Sequence, residues 1–189
     1  TNVSNAVLSF NFIDADSVSF LGLANPPVPT NDPYYSIEGN YASLLTSIWA
    51  AGNIYIAYKT NLNFQKGSYN YTTIVHELGH AMGLAHPHDE GGNSTIFDGV
   101  TSAFGDFGTY NANLQPLTIM TYNATQSPYM PNSEGSSGFL STFGPIDLVA
   151  LQSMYGKNQN FNIGNTTYTF PNSTTRKFWE TIYDTGGIN

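Results

Sequence analysis

The sequence contains no cysteine. Disulfide bridges, thiolate metal sites and cysteine nucleophiles are therefore excluded. Basic residues are also scarce, because five lysines and arginines stand against thirteen aspartates and glutamates, for a formal net charge of −8. A surface of this sign does not attract nucleic acids or anionic membranes, so we expect no nucleic-acid partner. The acidity favours solubility, but by itself it identifies no substrate.

Long apolar runs are absent as well. No stretch approaches the roughly 18 apolar residues that a membrane-spanning helix needs, so no span is predicted. The chain does not open with a charged and then apolar signal segment, and we interpret it as a processed form or as a piece of a longer protein. Hydrophobic residues make up 40% of the 189 residues and aromatic residues 14%. This composition predicts one globular domain, with room for the edge of a second.

Three of the four histidines fall within eleven residues, and residues 76–86 read His-Glu-Leu-Gly-His-Ala-Met-Gly-Leu-Ala-His. His76 and His80 are four residues apart, so on an α-helix both project from one face and can bind one Zn²⁺. Glu77 lies beside that face, within reach of a metal-bound water. Gly83 can take the left-handed conformation that ends a helix, so that the chain returns with His86 as a third ligand. The pattern predicts a zinc site with its catalytic base; the alternative is three unrelated histidines on a half-buried helix.

The spacing His-Glu-x-x-His-x-x-Gly-x-x-His resembles the long zinc motif of the metzincin metallopeptidases, whose second hallmark is a methionine-bearing turn. Residues 118–122, which read Thr-Ile-Met-Thr-Tyr, are similar to that turn. Pro87, directly after the third histidine, is typical of the serralysin branch. The resemblance implies that Met120 forms an apolar floor under the histidines. It also implies that Tyr122 is an additional, movable zinc ligand that hydrogen-bonds the oxyanion; a buried tyrosine packed near the turn is the alternative.

The resemblance to serralysins extends to the end of the chain. Residues 144–156 resemble the helix after the methionine turn, 162–168 the first strand leading out of the protease domain, and 183–189 the start of the calcium-binding glycine-rich repeats. The residues that the resemblance implies as ligands of one Ca²⁺ are the backbone oxygens of Asn162, Gly164, Thr166 and Gly186 and the carboxylate of Asp184. The final aspartate of the family motif would fall after Asn189, so the implied calcium site lacks that residue.

The expected fold class is α+β. The resemblance implies a metzincin fold with a twisted N-terminal sheet, a long zinc-binding helix, the methionine turn and a C-terminal helix. We predict a protease domain over residues 1–156 and the beginning of a β-rich, β-roll type region over 157–189.

Local patterns predict the individual elements. Alternation over residues 7–13 predicts a half-buried strand, and apolar spacing over 41–51 predicts a helix. Residues 53–59 are rich in β-formers and are expected to form a strand. The resemblance to metzincins implies that a substrate joins the edge of the sheet, for which residues 53–60 are the nearest candidate. Thr72 or Thr73 is expected to cap the zinc helix. A second helix is expected between Pro145 and Gly156, and it should be buried because apolar residues surround most of it.

The stretch 87–117 shows no period and is a candidate functional loop. Its acidic residues can hold a calcium ion or can simply be solvated; they are Asp89, Glu90, Asp98 and Asp106. His88 is expected to be an exposed loop residue and not a ligand.

As a function, the resemblance implies a bacterial zinc endopeptidase that is secreted to the extracellular space without a signal peptide. Its partners would be protein or peptide substrates and a proteinaceous inhibitor. The alternative is a zinc-containing module of a larger secreted or surface protein that acts in binding or in self-processing. Glu77 argues against a pure binding module, because a retained fold does not need that carboxylate.

Overall fold

A computed structural model describes residues 8–27, 52–91, 94–124, 138–169 and 178–188. These residues form a small mixed fold of a three-stranded sheet and two α-helices, compatible with the predicted α+β class. The elements in chain order are β1 (Ser9–Asp14), β2 (Gly22–Ala24), β3 (Asn53–Tyr58), α1 (Tyr69–Ala81), a 3₁₀ turn (Thr109–Asn111) and α2 (Pro145–Tyr155). Among the described residues, no helix is long and apolar enough to cross a membrane. The helix predicted over 41–51 lies outside the described residues.

Strand β3 is the central strand of the sheet, whose order is β1-β3-β2. It pairs in parallel with β1 and antiparallel with β2, where Gly22 is opposite Ile56. The prediction that β3 forms the sheet edge is therefore wrong. The four residues from Ile54 to Ala57 are all buried, and a continuous buried run is typical of a strand that is covered on both faces. The edge strand on the side of α1 is β2.

Strand β1 shows the predicted alternation, but not the expected orientation. Ser9, Asn11 and Ile13 are half-buried, whereas Phe10 and Phe12 are 43% and 58% exposed. The Asn11 side chain on the half-buried face donates a hydrogen bond to the Ile54 carbonyl of β3 at 3.3 Å. Alternation thus predicted the strand, but it did not show which face would be buried.

Helix α1 begins after Ser68, whose hydroxyl accepts a hydrogen bond from the Tyr71 amide at 3.2 Å. The predicted cap at Thr72 or Thr73 is wrong, because both threonines lie inside the first turns. The Thr72 hydroxyl donates instead to the Leu140 carbonyl. The helix ends as predicted, with Gly83 in the left-handed region at φ +94°.

Helix α1 lies between two apolar clusters, and this fixes it in the middle of the fold. On the sheet side it packs through a cluster made of Ile54, Ile56 and Ala81, joined by Ala24, Phe64, Ile74 and Leu78. On the opposite side it packs through Leu84, Ile119, Met120, Leu140 and Leu151, joined by Val75, Met82, Phe143, Ala150 and Trp179. Burial on two sides stabilises the helix that carries His76 and His80.

Helix α2 has the predicted bounds, because Pro145 opens it and Gly156 follows its end at φ +82°. The prediction that it is buried is wrong. Only Asp147 and Leu151 are buried among its residues, and Val149 is 69% exposed. The helix contacts the rest of the described chain through one face, so its apolar residues on other sides remain at the surface.

In the described parts of 157–188, the chain forms turns and no regular strand. One isolated parallel bridge joins Leu140 to Trp179. The predicted division into a protease domain up to residue 156 and a β-rich region after it stays a prediction.

Candidate metal centre and active site

The three motif histidines turn their Nε2 atoms toward one point. The Nε2 atom of His86 lies 3.1 Å from that of His76 and 2.9 Å from that of His80. Helix α1 supplies His76 and His80 from one face, and the turn at Gly83 returns the chain so that His86 meets them. In the described part of the chain, these three residues form a group whose donor atoms can hold one metal ion.

The other ring nitrogens show why the group fits a cation. The Nδ1 atom of His76 contacts the Ile119 carbonyl at 2.9 Å, and that of His80 contacts the Leu84 carbonyl at 2.8 Å. A carbonyl oxygen only accepts, so each Nδ1 must donate, and the Nε2 lone pairs are left facing the shared point. Lone pairs at about 3 Å repel one another unless a cation lies between them. The donor set and its backbone partners therefore fit Zn²⁺.

Protonation of these rings is also disfavoured. Burial, together with the neighbouring positive charge of His80, lowers the pKa of His76 to about 3. Burial likewise lowers the pKa of His80 to about 4, together with the charge of His86. Both imidazoles are therefore neutral at pH 7, which is the form that binds a metal ion.

Glu77 lies next to the histidines and against the edge strand β2. It is buried, and this burial raises the pKa of its carboxyl to about 8. A Cβ atom placed on Gly22 would be 2.6 Å from the Glu77 Oε1 atom, so β2 reaches α1 this closely only because Gly22 has no side chain. Among the described residues, the candidate metal groups do not include Glu77. This position suits a proton acceptor better than a metal ligand.

The methionine turn, residues 118–122, packs against the helix that carries His76 and His80. Met120 is 1% exposed, and its sulfur lies against Gly79, where an added Cβ would be 2.5 Å away. The turn is held by the buried Asp147 carboxylate, which accepts hydrogen bonds from the Ile119 amide, the Thr118 hydroxyl and the Gly144 amide at 2.7, 2.6 and 2.7 Å. Because Ile119 also holds His76, this carboxylate connects α2 to the orientation of a metal-binding ring.

Tyr122 lies at the open side of the centre. Its ring centre is 4.7 Å from that of His86 and 5.9 Å from that of His76. The side chain is 43% exposed, so the alternative of a buried packing tyrosine is wrong. Partial burial, with the nearby charges of Glu77 and Asp89, raises the pKa of the phenol. Without a bound metal ion, the hydroxyl therefore keeps its proton at neutral pH and can donate a hydrogen bond.

Two residues just after the third histidine belong to the site, although the sequence analysis treated Asp89 only as a candidate calcium ligand and His88 as an exposed loop residue. Asp89 accepts a hydrogen bond from His86 Nδ1 at 2.6 Å and so orients that ring. His88 was expected to be exposed, and this is wrong. It is half-buried, with its ring 4.9 Å from that of His86 and 4.7 Å from that of Tyr122. A search of the neighbouring sequence for a hydrogen-bond acceptor for each histidine Nδ1 atom would have identified Asp89.

The acidic residues of the 87–117 loop do not converge on a calcium ion. Asp98 accepts a hydrogen bond from the Thr109 hydroxyl at 2.9 Å. Asp106 accepts from the amide and hydroxyl of Thr101. Within the described residues, neither of these acids nor Glu90 joins a candidate metal group. The alternative of solvated loop acids, two of which also accept hydrogen bonds from loop threonines, fits the geometry better.

Two cavities of about 410 and 350 Å³ meet at the candidate centre. Both are lined by Gly22, His76, Glu77 and Tyr122. Strand β2 borders the whole groove, since Leu21 lines the first cavity, Leu23 and Ala24 line the second, and Gly22 lines both. The histidines and Glu77 therefore lie midway along a groove that follows the sheet edge.

The backbone of β2 directs hydrogen-bonding groups into this groove. The Leu21 carbonyl accepts from the Ala57 amide, and the Asn25 amide donates to the Asn53 carbonyl. In an antiparallel pair, alternate residues face the partner strand, so the amide and carbonyl groups of Gly22 and Ala24 point to the other edge. An extended peptide in the groove would meet these groups.

The segments with the predicted calcium ligands are in contact with each other. The Asp184 carboxylate accepts hydrogen bonds from the Tyr168 hydroxyl at 2.5 Å and from the Gly186 amide at 3.0 Å. The Asn162 side chain donates to the same hydroxyl at 3.3 Å, and the Thr166 hydroxyl donates to the Gly164 carbonyl at 3.2 Å. Calcium binding by these residues stays a prediction.

Comparison with known proteins supports the serralysin family. The chain is 33% identical to metallopeptidase AprA of Pseudomonas marginalis over 136 residues, which are 70% of this chain and 26% of that protein. It is 25% identical to a serralysin of Photorhabdus luminescens over 202 aligned residues, 99% of this chain and 36% of the relative. Serralysin A of Dickeya chrysanthemi is 29% identical over 164 residues, 78% of this chain and 31% of the relative.

The chain thus spans about a quarter to a third of the length of the relatives that it matches. No protein-family model matches it. The names of these relatives support a metalloprotease, and a metalloprotease implies a metal, for which the histidine cluster is the candidate ligand set.

Proposed function

We propose that this chain is the catalytic part of a secreted, serralysin-type zinc endopeptidase that hydrolyses peptide bonds in protein or peptide substrates. One observation carries the proposal above all others. Three histidines direct their Nε2 atoms at one point, beside a buried carboxylate and an open groove. The similarity to proteins named serralysin and metallopeptidase supports the same conclusion.

In this proposal His76, His80 and His86 hold the zinc ion. When bound, Zn²⁺ lowers the pKa of a water ligand to about 7 and polarises a peptide carbonyl. Glu77 accepts the proton from the attacking water and delivers it to the leaving amine. Tyr122 donates a hydrogen bond to the oxyanion as charge develops on it.

Strand β2 positions the substrate. A peptide must lie extended for its carbonyl to reach the centre, and an exposed sheet edge holds an extended chain by main-chain hydrogen bonds. Gly22 and Ala24 offer such groups alongside Glu77. We therefore assign substrate binding to β2 and not to β3.

Further parts of the proposal come from the resemblance to serralysins. They are secretion from a bacterial cell without a signal peptide, calcium binding by the segments around Gly164 and Asp184, and inhibition by a small protein.

The decisive experiment compares Glu77→Gln with Glu90→Gln, the same chemical change at an exposed residue. Both variants should bind one zinc ion per chain, because neither is a ligand. Glu77→Gln should lose casein hydrolysis by at least about 100-fold, the usual contribution of a general base, whereas Glu90→Gln should cleave normally. Casein cleavage by Glu77→Gln at the wild-type rate would refute the mechanism. Failure of the zinc-loaded wild type to cleave casein would favour the module that acts only in binding or self-processing.

A further inference from the structure

His88 lies between two groups of the proposed centre without belonging to the metal-binding set. Its ring is nearly parallel to that of His86, with centres 4.9 Å apart and planes 13° apart. It also meets the ring of Tyr122, with centres 4.7 Å apart and planes at 51°. One side chain thus connects a metal-binding ring to the phenol that faces the groove.

A second metal site does not explain this arrangement. Donor atoms of His86, His88 and Asp89 lie within 4.8 Å of one another. The two imidazoles are stacked, however, so their nitrogen lone pairs lie in two nearly parallel planes and do not converge on one ion. Asp89 is in addition already bonded to His86. The contacts of His88 with His86 and Tyr122 are ring contacts, which can fix the position of a neighbouring ring.

Tyr122 is the group whose position depends on such contacts. It is 43% exposed, and a half-exposed tyrosine has several rotamers open to it. Apart from the metal-binding rings of His86 and His76, Tyr122 meets two rings. One is that of His88, and the other is that of Phe104, which stacks on Tyr122 with centres 5.3 Å apart and planes at 30°. Phe104 is itself 68% exposed, whereas His88 is half-buried and held by His86. His88 is therefore the firmer of these two contacts.

We propose that His88 is a positioning residue for Tyr122. Its ring, stacked on His86, limits where the phenol can lie and so keeps the hydroxyl at the mouth of the metal centre. This inference rests on the proposed function, in which the Tyr122 hydroxyl stabilises the oxyanion. It concerns how the hydroxyl is placed, and not whether Glu77 acts as the base.

The first test is a double-mutant cycle on the zinc-loaded enzyme. His88→Ala and His88→Gln remove the ring, His88→Phe keeps it, and each is made with and without Tyr122→Phe. An aromatic contact of this kind is worth a factor of about two to ten. Loss of the ring should lower kcat by that factor with KM little changed, and His88→Phe should restore it. In the Tyr122→Phe background the same changes should have no effect, because the hydroxyl that they position is absent.

An equal loss of kcat in the Tyr122→Phe background would overturn the proposal, and so would failure of His88→Phe to restore kcat. An unchanged kcat in both ring-less variants would overturn it as well. Because His88→Ala and His88→Gln leave different volumes, a folding defect in one does not remove the test, and thermal unfolding identifies such a defect.

The second test reads the position of Tyr122 without catalysis. With Cu²⁺ in place of Zn²⁺, a phenolate bound to the metal gives a visible charge-transfer absorption that Tyr122→Phe lacks. His88→Ala should weaken or shift this band, and His88→Phe should restore it. A band identical in wild type and His88→Ala would overturn the proposal. Absence of the band from the wild type would also overturn it, while the Glu77→Gln comparison of the proposed hydrolysis would still stand on its own.

Discussion

Replacing Gly22 by alanine should disable the enzyme without removing its metal. The new Cβ atom would lie 2.4 Å from Glu77 Cγ and 2.6 Å from Oε1, whereas ordinary contacts begin at 3.4 Å. The Glu77 side chain must therefore withdraw by about 1 Å, and a misplacement of about 1 Å typically costs about 100-fold in rate. This corresponds to about 2.7 kcal/mol of transition-state stabilisation. The added methyl does not alter the three histidines, so zinc binding should be retained.

The assay is casein hydrolysis together with the zinc content and the melting temperature of the same preparation. Gly22→Ala should lower kcat about 100-fold with one zinc ion still bound. The double variant Gly22→Ala, Glu77→Gln should be no slower than Glu77→Gln alone, because both changes act through the same carboxylate. Normal kcat in Gly22→Ala would show that the contact between β2 and Glu77 is not as tight as described. Loss of zinc would show that the change acts through the fold.

Three further outcomes are expected. Asp89→Asn should weaken zinc affinity by about 10- to 100-fold, because His86 loses its carboxylate partner; competition with a chelator measures this, and an unchanged affinity would contradict the role. Asp147→Ala leaves three buried donors without an acceptor and should lower the free energy of unfolding by about 3 kcal/mol or more; a loss under about 1 kcal/mol in denaturant titrations would count against it. In the metal-free protein, the Glu77 pKa of about 8 against an ordinary 4.5 means that the folded state holds an extra proton. Stability should therefore fall as pH rises from 6.5 to 8, by at most about 1.4 kcal/mol per pH unit. The lowered pKa values of His76 and His80 change the free energy of unfolding only below pH 6.5, the ordinary pKa of histidine. These two residues therefore do not oppose this fall. Glu77→Gln should abolish it, and an equal fall in that variant would contradict the assignment.

Local chemistry explains which features the sequence predicted well. The four-residue spacing of His76 and His80 requires only helical geometry, and the turn at Gly83 requires only a residue that accepts positive φ. Eleven consecutive residues were therefore enough to predict that His76 and His80 converge with His86. The bounds of α2 were predicted for the same reason, because Pro145 and Gly156 act on their own backbone.

Features that depend on distant parts of the chain were missed. Strand β2 has three residues, too few for a period, and only its pairing with β3 makes it the edge beside Glu77. The continuous apolar run of β3 did indicate a central strand. The sequence analysis used only the β-forming residue types of this segment, and these do not distinguish a central strand from an edge strand. The placement of His88 depends on the fold around Tyr122. The exposure of Val149 could not be read from the apolar character of α2, because periodicity does not show how many neighbours a helix has.

The most direct test of the account is a crystal structure of zinc-loaded protein with anomalous data collected at the zinc edge. We expect one peak about 2.0–2.1 Å from the Nε2 atoms of His76, His80 and His86, with the side toward Gly22 and Glu77 open to the groove. A peak that lacks one of the three histidines, or a centre whose groove side is closed by a protein ligand other than Tyr122, would contradict it.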